Sequence, residues 1–357
     1  MIADQWYPLL QSSKLGRKPV GVRRMGERLV LWRDGDGRPV CMRDRCPHRG
    51  VALSRGRVRD GALECGYHGF RYGRDGQYLR MPCEGEDARI PAGLRAHTLP
   101  VEERYGLVWL FWGHADERPE IPWFDFIGER RRGTAEAAIE WPQNYVRTLE
   151  SNFDLHHTPW LHGSIVPVGT RLDPFEVETS GTRISARGEL RRPGKRSGMA
   201  FRVEFVAPSA TYIELTKRVY LVNVDCPIDE QNTWRFVRYY QDYLSVPGLD
   251  RLLAWLALQL EWRIVQFRQD LPMVATQEPR LPDRNEDHLV RADAGTAAYL
   301  KLRRKLISQA KRRADAGPDL REARRDRVSD LQPAREPERH QPADDGAARG
   351  GLARLPR

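Results

Sequence analysis

The chain is short of cysteine. It has five in 357 residues, Cys41, Cys46, Cys65, Cys83 and Cys226. They are too scattered for a disulfide framework, and a reducing cytoplasm suits free thiols. Long apolar runs are also missing. The most apolar stretch, Leu252 to Val265, carries Glu261 and Arg263 and is shorter than the roughly 20 residues a bilayer span needs. It reads as a buried helix. Met1 to Trp6 has neither the basic nor the apolar region of a signal peptide. No glycine-rich dinucleotide fingerprint occurs, so a nicotinamide cofactor is not expected on this chain. A water-soluble, cytoplasmic protein of two domains follows from length and composition.

The net charge of +10 invites a nucleic-acid reading, but its distribution weakens it. Sixteen Lys and Arg against nine Asp and Glu fall in residues 301–357, so +7 sits there and only +3 in the rest. From about 310 onward the chain lacks aromatics and reads as a disordered, solvated tail. Basic charge equally favours an acidic electron-transfer partner.

What is present is a pair of matched loops. Cys46-Pro47-His48-Arg49-Gly50 is answered by Cys65-Gly66-Tyr67-His68-Gly69-Phe70, with sixteen residues between His48 and Cys65. Two thiolates and two imidazoles make a four-ligand metal site. Zinc is one reading, since two Cys and two His also hold structural zinc. Here, however, each His is paired with a Cys rather than with the other His. That suits a [2Fe–2S] cluster with both Cys on one iron and both His on the other. Short strands surround the loops, among them Arg28 to Arg33 and Arg38 to Arg43 about a Gly-rich turn. Tyr105 to Gly113 closes the unit, and Asp116 to Pro122 reads as a linker.

A second constellation runs from Glu150 to His162 and includes Asp154, His156, His157 and His162. Asp154 and His157 are three apart, hence neighbours on one helical face. Pro159 should bend the chain and let His162 swing back. Two imidazoles and a carboxylate from elsewhere form the facial triad of a non-haem Fe(II) oxygenase. His156 is an alternative ligand, though a polar residue facing elsewhere is the preferred reading. Downstream, six segments between Phe175 and Tyr240 look like strands of one antiparallel sheet. After Pro247-Gly248, residues Leu249, Leu252, Leu253, Leu256, Leu260, Ile264 and Phe267 mark one apolar face of a long helix.

The paired loops and the Asp-x₂-His-x₄-His spacing together resemble the Rieske non-haem iron oxygenases, oxygenase (alpha) subunits of the aromatic ring-hydroxylating family, over nearly all of residues 5–306. Two departures stand out: Gly66 where many relatives have Pro, and Ser151 where many have Asn. The resemblance implies an α+β chain: an all-β Rieske domain (1–115), a linker (116–123) and a catalytic domain (124–308) whose antiparallel sheet wraps a long helix in a helix-grip, START-like manner. A charged tail (309–357) would follow. It implies a [2Fe–2S] cluster on Cys46, His48, Cys65 and His68, and a mononuclear Fe(II) on His157, His162 and Asp270. Asp250, Asp283 and Asp287 are weaker rivals for the carboxylate. Asp154 would bridge His157 to His68 of a neighbouring copy in a head-to-tail homotrimer.

The implied activity is that of a terminal oxygenase acting with O2 on an aromatic or polycyclic small molecule. Its electrons would come from NAD(P)H through a separate ferredoxin or flavin reductase. Oxygenation, demethylation, desaturation and N-oxygenation are all open. The alternatives are an electron-transfer protein with a vestigial second site, or a zinc-stabilised binding protein.

Overall fold

The computed structural model describes residues 1–85, 88–90, 93–127, 133–163, 166, 169–195, 198–216, 218–281 and 287–315. The expected tail (309–357) is helical rather than disordered through Asp315 and lies outside the described residues from 316 on, as do Pro167 and Val168. Among the described residues, eleven short strands fill the first third. They are β1 (Gln5–Gln11), β2 (Val20–Arg24), β3 (Glu27–Arg33), β4 (Pro39–Arg43), β5 (Arg57–Arg59), β6 (Ala62–Glu64), β7 (Arg71–Tyr72), β8 (Tyr78–Arg80), β9 (Thr98–Leu99), β10 (Val101–Arg104) and β11 (Leu107–Trp112). They form three antiparallel sheets, ordered β1-β11-β10, β2-β3-β4-β9 and β5-β6-β7-β8.

Strand β3 explains why an apolar run need not alternate. Its residues Leu29 to Trp32 are all fully buried. Leu29 and Leu31 face the main core, whereas Val30 and Trp32 face a second one. Successive side chains point to opposite faces of a strand, so β3 is a wall between two cores. The second core contains Cys46, Cys65, Phe70, Tyr72 and Tyr78, and it is the floor of the paired loops. The main core continues into the rest of the chain. Tyr7 meets Tyr145 at 6.2 Å between ring centroids, and the Met25 amide donates to the Pro227 carbonyl. Ile121, Trp123 and Phe124 are buried in that core too.

The second half is built on seven antiparallel strands: β12 (Gly133–Trp141), β13 (Arg171–Ser180), β14 (Arg183–Arg191), β15 (Met199–Val206), β16 (Ala210–Thr216), β17 (Val219–Pro227) and β18 (Thr233–Gln241). Their order is β12-β18-β17-β16-β15-β14-β13. The sequence reading missed β12, whose Ala and Glu residues give a weak strand signal; pairing with β18 over its whole length decides it. Helix α1 (Tyr145–Phe153) and helix α2 (Thr158–Leu161) separate β12 from β13. After β18 come α3 (Leu249–Leu260), a π-helical segment (Glu261–Asp270), α4 (Leu271–Val274) and α5 (Ala294–Asp315). Tyr299 of α5 stacks on Phe153 of α1 and meets Phe205 of β15 edge-on.

Two expectations are corrected here. The chain does not bend at Pro159; α1 ends at Phe153, and Pro159 sits in the first turn of α2, where its missing N–H costs nothing. Nor is the leucine face of α3 a core face. Ala254 and Leu258 are buried against the sheet, while Leu249, Leu252, Leu256 and Leu260 are 49–61% exposed. The helix lies very close to β12, since a side chain at Gly133 would meet the Asp250 carbonyl oxygen at 2.3 Å. That approach selects the small-residue side of the helix, not its most apolar one.

Candidate metal centres

The two paired loops are the same turn made twice. The Cys46 amide donates to Val51 and the Gly50 amide to Cys46, at 2.8 Å each. The Cys65 amide donates to Phe70 at 2.8 Å and the Gly69 amide to Cys65 at 3.1 Å. Gly50 and Gly69 close their turns at φ of 74° and 73°, a conformation glycine adopts without strain. Each turn buries its cysteine, and both thiols are free. Burial pushes the Cys65 thiol up, as does the neighbouring Cys46, while the Tyr67 and His68 amides donate to its sulfur and favour the thiolate. Cys46 Sγ lies 2.9 Å from the Tyr72 hydroxyl. His48 and His68 sit at the open side, with ring centroids 4.7 Å apart. Buried sulfurs below and accessible imidazoles above fit a cluster with one sulfur-held and one nitrogen-held iron.

The second site is assembled from three elements. Among the described residues, His157, His162 and Asp270 have metal-ligating atoms that converge within 4.8 Å. The two Nε2 atoms are 3.1 Å apart, and Asp270 Oδ1 lies 3.2 Å from His162 Nε2 and 3.8 Å from His157 Nε2. The outer nitrogens explain the orientation. His157 Nδ1 faces Asp154 Oδ2 at 3.5 Å. His162 Nδ1 faces Gln269 Oε1 at 2.8 Å. An acceptor at each Nδ1 keeps the proton there and leaves both Nε2 lone pairs pointing inward. Two lone pairs and a carboxylate aimed at one point repel each other unless a cation sits between them, so the donor set fits a divalent iron.

Asp154 reaches His157 differently from the helical spacing expected. It follows the end of α1 in extended conformation, and its Oδ1 accepts from the amides of His156 and His157. The turn, not a helix face, brings the pair together. Burial opposes the ionised form of Asp154, but its contacts with His157 outweigh this and hold it below the usual carboxylate range. Burial likewise opposes a charged His162, and Asp270 and Gln269 together hold its pKa above the ordinary value. His156 packs its ring on Phe175 instead. Asp250 caps its own helix start, and Asp287 is bonded to Arg147; Asp283 lies outside the described residues.

Gln269 had no role in the sequence reading. It sits one residue before Asp270 in the π-helical segment, and π turns are frequent at functional sites. Only three-dimensional placement of that segment reveals it. Glu261, at the segment's start, accepts at Oε1 from the Gln266 side-chain Nε2 at 2.7 Å, and its Oε2 has no partner. Burial pushes its carboxyl up to about 7.

A cavity of about 1450 Å³ opens beside His157, His162 and Asp270, and its walls include Leu155, Phe201, Ile213, Leu221 and Ile264. This exceeds the 300–1,000 Å³ of ordinary small-molecule pockets. Among the described residues no helix is long and apolar enough to cross a membrane.

Comparison with known proteins agrees with both halves. Residues 5–99 match the Rieske [2Fe-2S] domain family, and residues 141–309 match the vanillate O-demethylase oxygenase C-terminal domain family. The 3-chlorobenzoate-3,4-dioxygenase oxygenase subunit of Comamonas testosteroni is 32% identical over 164 residues, 45% of this chain and 38% of that protein. The chain spans less than half the length of the first curated relatives it matches. The methylxanthine N1-demethylase NdmA of Pseudomonas putida is 26% identical across 84% of this chain and 88% of its own. The structure of that protein with caffeine superimposes at a TM-score of 0.69 with 25% identity, covering 86% and 93% of the two chains. Dicamba monooxygenase shares the fold at a TM-score of 0.72 with 20% identity, over 89% of this chain and 99% of its own.

Proposed function

We propose that this chain, which belongs to the Rieske non-haem iron oxygenase family, is a terminal oxygenase component acting on an aromatic or polycyclic small molecule. Its electrons come from NAD(P)H by way of a separate ferredoxin or flavin reductase. When bound, the [2Fe–2S] cluster would supply one-electron transfer and the Fe(II) would supply dioxygen activation. Cys46, His48, Cys65 and His68 hold the first group, and His157, His162 and Asp270 the second. The protein's own work is to orient and exclude. Asp154 and Gln269 keep both imidazole protons on Nδ1. The apolar cavity walls keep water from the reacting end and present the substrate to it. The relatives' names span demethylation and dioxygenation, and the product type here stays within hydroxylation, demethylation, desaturation or N-oxygenation.

The observation that carries this reading is the convergence of two inward Nε2 atoms and Asp270 Oδ1, each histidine being held from outside. The test is anaerobic iron loading followed by metal analysis and a visible spectrum. About three irons per chain and a Rieske-type absorption are expected. Two irons would leave an electron carrier, and a colourless zinc protein would sink both sites.

A homotrimer belongs to the same reading. Asp154 keeps its side chain 44% exposed while it holds His157. Tyr67 beside His68 is 58% exposed and Trp160 beside His157 is 75% exposed, which suits a contact between the cluster tip of one copy and the iron site of the next. Light scattering in solution should return three times the chain mass.

A further inference from the structure

The cavity wall also holds a polar chain, through Asn152, Asn223 and Arg235, that the oxygenase reading does not use. Asp225 is fully buried and accepts from Arg235 Nε at 2.8 Å and Nη2 at 3.2 Å. Arg235 Nη2 also donates to Asn152 Oδ1 at 3.0 Å. That fixes which end of Asn152 is oxygen, and its Nδ2 faces Thr211 Oγ1 at 3.2 Å. Asn223 then has one choice, because its Nδ2 must donate to Asn152 Oδ1, at 3.4 Å. Its own Oδ1 is left as an acceptor with no partner. Asn223 is 4% exposed and lines the cavity. The charge pair thus sets the polarity of a residue two hydrogen bonds away.

We propose that Asn223 is a specificity-determining residue and that the cavity takes an uncharged or cationic aromatic substrate bearing an O–H or N–H donor, not a carboxylate or sulfonate. The inference rests on the oxygenase reading of the site and names its substrate class. Asn223 Oδ1 makes no hydrogen bond within the protein, so a substrate donor that meets it gains a bond without displacing one already made. Anions have nothing comparable. Among the described lining residues the cations are Arg147 and Arg235, besides the histidines. Arg235 is matched by Asp225, and Arg147 by Asp287 and Glu150. Neither guanidinium charge is left over, and burying an uncompensated carboxylate is costly.

The test is calorimetric binding to the iron-loaded protein, whose metal content is checked first. The ligands are biphenyl, 4-hydroxybiphenyl, 4-aminobiphenyl, 4-methoxybiphenyl and biphenyl-4-carboxylate. The hydroxyl and amino compounds should bind about tenfold tighter than biphenyl, the worth of one well-made hydrogen bond. The methoxy compound should gain nothing, and the carboxylate should bind more weakly than biphenyl. Asn223→Leu should erase the donor's advantage while leaving biphenyl affinity within about twofold. Asn223→Ala replaces it if the leucine variant does not fold, and the ligand series decides the donor rule on the unaltered protein alone. A carboxylate that binds as well as the phenol overturns the proposal. So does a donor advantage that survives the substitution, or a failure of all five compounds to bind. Loss of the mononuclear iron from the unaltered protein would instead count against the oxygenase reading.

Discussion

The two proposed metal centres differ in how far the chain must travel to make them. The proposed cluster ligands lie within residues 46 to 68, on two copies of one hydrogen-bonded turn. The second set runs from residue 157 to residue 270 and joins a turn, a short helix and a π-helical segment. A local turn places its side chains almost independently of the rest of the fold. A long-range set depends on every packing contact between its elements. The first centre should therefore fail only when its own residues change, whereas the second should also respond to residues that touch no metal.

The sharpest test crosses the two. Cys65→Ser should abolish the cluster's visible absorption and reduce oxygenation to background. Asp270→Ala should leave that absorption in place and remove about one iron per chain, again ending turnover. Metal analysis beside the visible spectrum reads both. If Asp270→Ala also bleached the cluster, the two centres would not be separable and the contrast would fail.

The same contrast explains what could be read in the sequence. Spacing alone exposed both Cys–His pairs, because five or six residues of chain decide each turn. It also exposed the strands around Phe201 to Phe205, where alternation is regular. It failed where two elements choose which faces meet. The leucines of α3 form its most apolar stripe, yet the sheet takes Ala254 and Leu258 because β12 lies so near at Gly133. Gln269 and Asn223 were equally hidden, since their partners His162 and Asn152 are far away in sequence. A thermal or urea denaturation series checks the helix. Leu258→Ala should cost about 2–5 kcal/mol as a buried truncation. Leu256→Ala, on the exposed stripe, should cost about 0.5 kcal/mol or less.

The next effect concerns a residue that binds no metal. Gln269→Leu removes the acceptor at His162 Nδ1 but no ligand. Outer partners of metal-bound histidines are commonly worth 10–100-fold in affinity or activity. We expect the mononuclear iron to bind about tenfold more weakly in a chelator competition, with the cluster untouched. Unchanged iron affinity would mean that packing alone orients the ring.

The smallest effect lies on the local side of the comparison and shows what tuning remains there. Tyr72 is fully buried and its hydroxyl is 2.9 Å from Cys46 Sγ. Against a ligating thiolate that hydroxyl can only donate. Reduction makes the cluster more negative and strengthens the bond, so the bond favours the reduced form. Tyr72→Phe removes it without changing the ring's packing. A strengthening of about 1 kcal/mol on reduction corresponds to roughly 40 mV for one electron. The cluster potential should fall by about that amount in a redox titration, and iron affinity at the second site should not move. An unchanged potential would place the Tyr72 hydroxyl on some acceptor other than the sulfur. A shift at both centres would show that the paired turns are not the self-contained unit their hydrogen bonds describe.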